Sequence, residues 1–263
     1  SSGPSGIANS LKIACTTADT SIASDEQFLL SQRIEGQNLQ AFAKGTADAK
    51  PFAVSFYVKG NASATYICEL HDQDNGRQIS KTFNVTTAWT RIELTFPADT
   101  TGAFDDDNAR SLNLNIALHA GSDLTSGTLS STWTSTTNAN RYVGGSSFFD
   151  STSRTFFITG VQMEIGEKAT EFEHEPFSVT LKKCERYFEK TQNYSTAGTS
   201  WESGGGVSLR DGTASTVVRY YRFNYKTRKR SSSPTITTYD ALSASGKCKI
   251  DSTQGITTVI FSS

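Results

Sequence analysis

Apolar and polar residues alternate with a period of two along most of the first 170 residues. One such run, residues 51–60, places four apolar side chains on a single face, namely Phe52, Val54, Phe56 and Val58. Residues 110–121 repeat the pattern, with four apolar residues facing inward and Asn113, Asn115 and His119 facing outward. Successive side chains of a β-strand point to opposite faces, so this period predicts strands that each lay one face on a core.

Turn signals separate these runs and set the number of strands. Asn75-Gly76 stands between two alternating runs, which is the strongest short-range signal for a β-hairpin. Eight strands are predicted, at residues 10–17, 27–35, 51–60, 64–72, 77–86, 90–97, 110–120 and 154–166. With no helical period between them, they predict an all-β chain whose first part is a jelly-roll β-sandwich.

The pattern of apolar residues and the charge of the chain both change after Pro176. Phe177, Leu181, Cys184 and Phe188 are spaced 4, 3 and 4 residues apart, which predicts a short helix with one apolar face. Strands are predicted at 216–226 and 235–239. The charge also changes: residues 1–176 hold 12 Lys/Arg and 20 Asp/Glu, whereas residues 177–263 hold 13 and 6. We therefore predict a jelly-roll domain at 1–176 and a small β-rich unit with an entry helix at 177–263.

Composition excludes several classes of protein. Hydrophobic residues make up 36% and charged residues 19%, which argues against a disordered chain. No apolar run approaches the roughly 20 residues that a membrane-spanning helix needs, and Ser1–Ser10 lacks the features of a signal peptide. The four cysteines stand far apart without zinc-ligand spacing. They are typical of a chain assembled in a reducing cytoplasm, and we expect no cofactor and no membrane insertion.

Residues 157–188 carry a resemblance to a known group of proteins. Residues 157–166 read Phe-Ile-Thr-Gly-Val-Gln-Met-Glu-Ile-Gly, and Ala169-Thr-Glu-Phe-Glu-His174 follows. This stretch resembles bacteriophage tail-fibre-like and other virion appendage proteins, in which such a strand closes a carbohydrate-binding-like jelly roll. Residues 181–188 are similar to the stretch that usually follows, although Glu175 stands where the family has Arg.

The resemblance, which runs collinearly from about residue 27 onward, implies a role in a virion. It implies a tail-fibre or head-fibre module that is assembled in the bacterial host cytoplasm and displays a domain for host recognition. It also implies a homotrimer that contacts other virion proteins and a host-surface glycan. The residues themselves leave the place on the tail or head, the host and the sugar open.

The polar interval 121–153 supplies the candidate glycan site. A long irregular connection on a rigid sandwich is where binding residues tend to collect. Aromatic rings stack on sugar faces while amides and charged groups bind hydroxyls, and the interval holds both types: Trp133, Asn138, Asn140, Arg141 and Tyr142. The alternative is that Trp133 closes the edge of the sandwich, as we expect of Trp89.

Other motifs have plain structural interpretations. Asp105, Asp106 and Asp107 form a dense acidic turn that leaves a structural calcium ion open, although a solvated turn explains the same residues. Glu69, Glu93 and Glu164 are outward strand carboxylates for which solvation is the default, although paired carboxylates are also what glycoside hydrolysis requires. We predict no catalytic residues, because neither a nucleophile motif nor a metal motif is present.

Basic and aromatic residues alternate between Arg219 and Arg230, a pattern that also occurs in nucleic-acid-binding proteins. The acidic first part of the chain would repel phosphate, so docking on an acidic neighbouring surface is favoured and no nucleic acid is expected. The predicted function is therefore structural display on a phage particle, with glycan recognition as its purpose. A purely architectural decoration protein and a polysaccharide-degrading enzyme are the two alternatives.

Overall fold

A computed structural model describes residues 3–190, 224–232 and 234–236. The chain divides into two compact units, Ser1–Glu173 and His174–Ser263. The division lies three residues before the predicted boundary at Pro176. No helix in the described part of the chain is long and apolar enough to cross a membrane.

The first unit consists of two antiparallel sheets. The smaller sheet has the strand order β1-β9-β3-β6 and the larger sheet the order β2-β7-β4-β5-β8. The strands are β1 (Leu11–Ala14), β2 (Gln27–Glu35), β3 (Phe52–Gly60), β4 (Ala64–Asp72), β5 (Arg77–Val85), β6 (Thr90–Phe96), β7 (Arg110–Ala120), β8 (Thr134–Ser135) and β9 (Thr155–Ile165).

The strand order makes this unit a jelly-roll β-sandwich. The chain crosses between the sheets at β1 to β2, β2 to β3, β3 to β4, β5 to β6, β6 to β7 and β8 to β9. Only the β4–β5 and β7–β8 connections stay within one sheet. The predicted all-β jelly roll is confirmed, and all eight predicted strands are present. The two-residue strand β8, which lies inside the interval 121–153, was not predicted.

The core lies between the sheets and is built by the alternation. The inward residues Phe52, Val54, Phe56 and Val58 of β3 are fully buried. They face inward residues of the larger sheet, among them Tyr66 and Phe83, and the Phe56 and Phe83 rings meet edge to face at 5.0 Å. A buried Phe stabilises the folded state by about 1.5–3 kcal/mol relative to an exposed one, so the burial of these four side chains stabilises the sandwich.

The β4–β5 hairpin forms at the predicted Asn-Gly turn. The Asp72 carboxylate accepts hydrogen bonds from the backbone N–H groups of Asp74 and Asn75, each at 3.0 Å. Gly76 has a φ of +57°, in the left-handed region that glycine adopts at no steric cost. The hairpin signal in the sequence therefore has a direct physical cause in the turn.

The second unit begins with one helix. The helix α1 (Phe177–Glu185) starts directly after Pro176, whose fixed φ suits the entry to a helix. Phe177 is 78% exposed and Phe188 63% exposed. Residues 237–239 of the predicted strand 235–239 and most of 216–226 lie outside the described residues, as does most of the predicted β-rich unit.

Candidate functional site

The outer face of the larger sheet is partly covered by the interval 121–153. Leu124 and Tyr142 from the interval pack on Ile67 of β4 and Ala117 of β7, and all four residues are buried. At the β5 edge, the backbone carbonyl of Ser130 accepts a hydrogen bond from the Ser80 N–H at 2.7 Å. The interval is therefore a cover with a small core of its own.

A buried ion pair joins the cover to the sheet. The Glu69 carboxylate is fully buried and accepts two bonds from the Arg141 guanidinium, from Nε at 2.7 Å and Nη2 at 2.8 Å. It also accepts bonds from Asn115 Nδ2 at 2.8 Å and from the Tyr142 hydroxyl at 2.9 Å. Burial, and then the adjacent Glu69 charge, raise the pKa of Tyr142 well above its usual value. Tyr142 therefore stays protonated at physiological pH, and its hydroxyl donates a hydrogen bond to Glu69.

This cluster corrects two expectations about the interval. Tyr142 is 1% exposed, so its ring is a buried packing element and offers no face to a sugar. Glu69 was expected to be a solvated outward carboxylate. It does lie on the outer face, but the cover removes it from water and Arg141 neutralises it. Arg141 is committed to the same pair and is also largely buried.

The two asparagines of the predicted sugar site have different surroundings. Asn140 Oδ1 accepts a bond from the Thr128 N–H at 2.9 Å, and the Asn140 carbonyl accepts one from Ser130. Asn140 thus stabilises the fold of the cover. Asn138 is exposed at the start of a short 3-10 turn, Asn138–Asn140. Of the five predicted residues, only Asn138 has a freely exposed side chain.

Trp133 lies at the rim of the core. Its ring contacts the Phe52 ring at a centroid distance of 6.0 Å, and its Nε1–H donates to the Pro97 carbonyl at 2.8 Å. A partly buried Trp whose N–H is satisfied by backbone is typical of a packing role. Trp89 differs from the expected edge plug, because it packs against Phe157 at a centroid distance of 6.2 Å.

A row of polar side chains lies on the same face of the larger sheet, beside the cover. Arg33, Asn113 and His71 are direct register partners across β2, β7 and β4. Gln73 continues the row, because its Nε2 donates to His71 Nδ1 at 2.6 Å and its Oε1 accepts from Arg110 Nη2 at 2.6 Å. We call these five residues the polar strip. Sequence reasoning missed the strip, since its members come from three strands and one loop.

The floor of the polar strip has an unused hydrogen-bond acceptor. Asn113 is 8% exposed, and its Oδ1 bonds to no group in the described part of the chain. A buried acceptor without a donor costs about 1–3 kcal/mol. Because Asn113 Oδ1 has almost no solvent-accessible surface, a sugar hydroxyl reaches it only when the side chains around it move aside. Arg33 and Arg110 are exposed at the two ends of the strip.

The hydrogen bonds of His71 fix its ionisation state. Its Nδ1 faces two donors, Gln73 Nε2 and Arg141 Nη2, so Nδ1 acts as an acceptor and the proton sits on Nε2, next to the Thr136 hydroxyl at 3.1 Å. Burial lowers the pKa of His71; the Glu69 carboxylate acts in the opposite direction, and the Arg141 guanidinium adds to the lowering. The strip therefore presents a neutral imidazole at neutral pH.

A second buried charge network includes Asp72, the last residue of β4, which stands between His71 and Gln73 of the polar strip in the sequence. The Lys44 ammonium contacts Asp72 Oδ2 at 2.6 Å and Asp99 Oδ2 at 3.1 Å, and it donates to the carbonyls of Thr101 and Gly102 at 2.8 Å each. Burial alone would raise the pKa of Asp99, but the bonds from Arg77 and Lys44 hold it below its usual value. These carboxylates are thus committed to a structural network.

The remaining acidic residues are exposed or locally bonded. Asp105, Asp106 and Asp107 are exposed, and Asp107 Oδ1 accepts from the Ala109 N–H at 2.8 Å, as in an ordinary Asx turn. In the described residues, no group of three or more His, Cys, Asp or Glu could hold a metal ion. The Glu164 carboxylate accepts a hydrogen bond from the Thr170 hydroxyl. Glu164 lies on the smaller sheet and Glu69 on the larger sheet, so these two predicted carboxylates belong to different sheets.

Part of the basic segment of the second unit is paired within that unit. Lys229 Nζ lies 2.7 Å from Glu189 Oε2, and Lys226 Nζ lies 3.2 Å from Glu185 Oε1. The other basic residues of the segment between Arg219 and Arg230 include Arg219 and Arg222, which lie outside the described residues. The paired lysines have part of their charge neutralised by neighbouring carboxylates.

Comparison with solved structures finds similarity for a part of the chain. No protein-family model and no curated protein matches. A solved structure titled "CBM4 structure and function" is similar over 53% of this chain and 61% of that one, with 12% identity and a TM-score of 0.27. The chain thus spans about three fifths of the structure it matches. The jelly-roll assignment depends on the strand order described above, and the resemblance to phage appendage proteins stays a prediction.

Proposed function

We propose that the chain is a non-catalytic module of a bacteriophage appendage that displays a glycan-binding jelly roll to the host surface. The observation that carries the proposal is the polar strip, where Asn113 has an unused acceptor between Arg33 and His71 in one register row. Amide, imidazole and guanidinium groups on a rigid sheet are suited to binding several hydroxyls of one sugar at fixed spacing. The resemblance of residues 157–188 supports the place of the module in a virion.

The chemistry of the strip favours binding over hydrolysis. Hydrolysis of a glycosidic bond uses two carboxyl groups that flank the bond. The polar strip contains no carboxylate, and Glu69, which precedes His71 on the outer face of β4, is paired with Arg141 beneath the cover. We therefore assign no catalytic role to this face.

An architectural role without a ligand is the second candidate, and one observation favours it. We expected the interval 121–153 to bind sugar, but its Arg141 and Tyr142 bond to Glu69 of the sheet. The interval therefore stabilises the sandwich. A spacer module needs that rigidity and nothing more. The two candidates differ in whether the wild-type chain binds any surface polysaccharide.

A glycan array of bacterial surface polysaccharides tests the proposal. We expect the intact chain to bind at least one glycan, and Arg33→Ala or Asn113→Ala to weaken that binding by about tenfold or more. Thr82→Ala, an exposed change on β5 of the same sheet, is the matched control and should bind like the wild type. Absence of binding by the wild-type chain would favour the architectural role.

Electron microscopy of particles labelled with an antibody tests the place in the virion separately. An antibody raised against this chain should decorate a fibre or other appendage of phage particles that encode it. Particles without label, with the chain recovered only from the host cell, would overturn that part of the proposal.

A further inference from the structure

A straight row of cations and aromatic rings crosses the outer face of the smaller sheet. Lys12 of β1 and Lys59 of β3 are both register partners of Phe157 in β9, and Trp89 immediately precedes Thr90, the partner of Val58. The row therefore reads Lys12, Phe157, Lys59, Trp89 across all four strands. With strands about 4.8 Å apart, it spans roughly 14 Å. We call it the cationic row.

The members of the cationic row contact one another in sequence. Lys12 Nζ lies 5.7 Å and Lys59 Nζ 5.3 Å from the Phe157 ring centroid, so two ammonium groups converge on one ring. Lys59 Nζ is also 5.8 Å from the Trp89 centroid. The Trp89 and Phe157 rings meet at an interplanar angle of 71°. Both rings are partly exposed, so the row is an accessible surface.

The two lysines carry unneutralised charge. Neither Lys12 nor Lys59 forms an ion pair or a hydrogen bond through Nζ with any residue that the structure describes, whereas Arg91 and Arg154 on the same sheet pair with Glu93 and Asp150. This concentration of positive charge stands out because residues 1–176 carry a net charge of −8. Two converging ammonium groups over an aromatic ring form a local field that attracts an anion.

We infer that the cationic row is a second binding site and that its ligand is an acidic oligosaccharide, a chain of uronic-acid residues. The C–H face of a pyranose packs on the accessible parts of the Phe157 and Trp89 rings, and its carboxylate pairs with Lys12 or Lys59. A nucleic-acid strand fits less well, because its binding uses a groove with many cations and this row offers two. The inference depends on the proposed glycan-binding function and adds a ligand class on a different sheet.

Binding of a uronic-acid oligomer by the full chain tests this inference. The probes are a galacturonic-acid tetramer and its methyl ester, which has the same size and no charge. The wild-type chain should bind the acid at least tenfold more tightly than the ester, and 0.5 M salt should weaken the acid's binding because it screens the exposed ammonium groups. Lys12→Gln/Lys59→Gln should lose tenfold or more in affinity for the acid.

A charge-matched control separates the site from the net charge. Lys50→Gln/Lys168→Gln removes the same charge from exposed lysines outside the row and should bind like the wild type. Trp89→Leu should weaken the acid and the ester alike, because it removes a stacking face. The indole N–H signal of Trp89 in NMR spectra, assigned through that variant, should move on titration with the acid.

The outcomes distinguish this inference from the proposed function. Equal binding of acid and ester, or equal losses in the two double variants, would overturn the cationic row as an anion site. Binding of a single-stranded oligonucleotide in place of the acid would overturn the ligand class. If neutral glycans bind through the polar strip while the uronic-acid tetramer does not bind, the proposed function survives and this inference fails. If the wild-type chain binds no glycan at all, both the proposed function and this inference are wrong.

Discussion

Arg141→Met is expected to loosen the cover over the larger sheet. The substitution keeps an apolar stem of similar length but removes both guanidinium bonds to Glu69, which is fully buried. The carboxylate is then left with two neutral donors, Asn115 and Tyr142. Removing one partner of a buried ion pair typically costs about 3–5 kcal/mol. Because Arg141 is itself 13% exposed, we expect the lower end, about 3 kcal/mol of unfolding free energy.

Guanidinium-induced unfolding of the intact chain measures this loss. Arg33→Met is the matched control, because Arg33 is exposed on the same face and pairs with no carboxylate that the structure describes; it should change the stability by less than about 0.5 kcal/mol. Glu69→Met/Arg141→Met should recover most of the loss, since replacing both charges by apolar groups is often close to neutral. Limited proteolysis of Arg141→Met should cut first within 121–153. If Arg141→Met and Arg33→Met unfold alike, the ion pair does not hold the cover.

Three further changes probe other parts of the account. The pKa of His71 is lower in the folded chain than its unfolded value near 6.5, so its contribution to stability is present above that pH and is lost as the pH falls through the folded pKa. In melts at several pH values, the melting temperature of the wild type should therefore fall more below about pH 6.5 than that of His71→Gln. Gly76→Ala should lower the unfolding free energy by about 1–2 kcal/mol through left-handed strain alone, because nothing lies within 4 Å of the added Cβ; an unchanged melting curve would contradict the turn geometry. Burial raises the pKa of the Cys68 thiol, so peptide mapping after brief alkylation should find Cys184 modified and Cys68 intact, and early modification of Cys68 would mean that the core opens readily.

The strands could be predicted because their cause is local. Each alternating run, such as the one through Phe52 and Val58, needs only its own side chains to distinguish its two faces. The Asn75-Gly76 turn is equally local, since the left-handed conformation favours glycine there whatever the rest of the chain does. These features gave the sandwich and its hairpin correctly.

The cover could not be predicted because it depends on contacts distant in sequence. Alternation correctly placed Glu69 and Asn115 on the outer face, but their burial depends on Arg141 and Tyr142, more than 25 residues away from either. One signal was available: Leu124 and Tyr142 are among the apolar and aromatic residues that stand in this largely polar interval. Their presence indicates a second small core more directly than it indicates a sugar site.

Both candidate surfaces also depend on strand register. The polar strip needs Arg33, Asn113 and His71 to be aligned across β2, β7 and β4, and the cationic row needs residue 12 to lie opposite residue 157. Such alignments are set by the packing of the whole sandwich, and a one-residue slip would turn each side chain to the other face. Composition alone therefore could not identify either surface.

NMR chemical-shift mapping with a glycan selected from the array shows whether the larger sheet binds sugar through the polar strip. On titration of the labelled chain, the backbone and side-chain signals of Arg33, Asn113 and His71 should shift together and saturate with one dissociation constant. Shifts confined to residues outside the first unit, or no shifts at saturating glycan, would contradict binding through the polar strip.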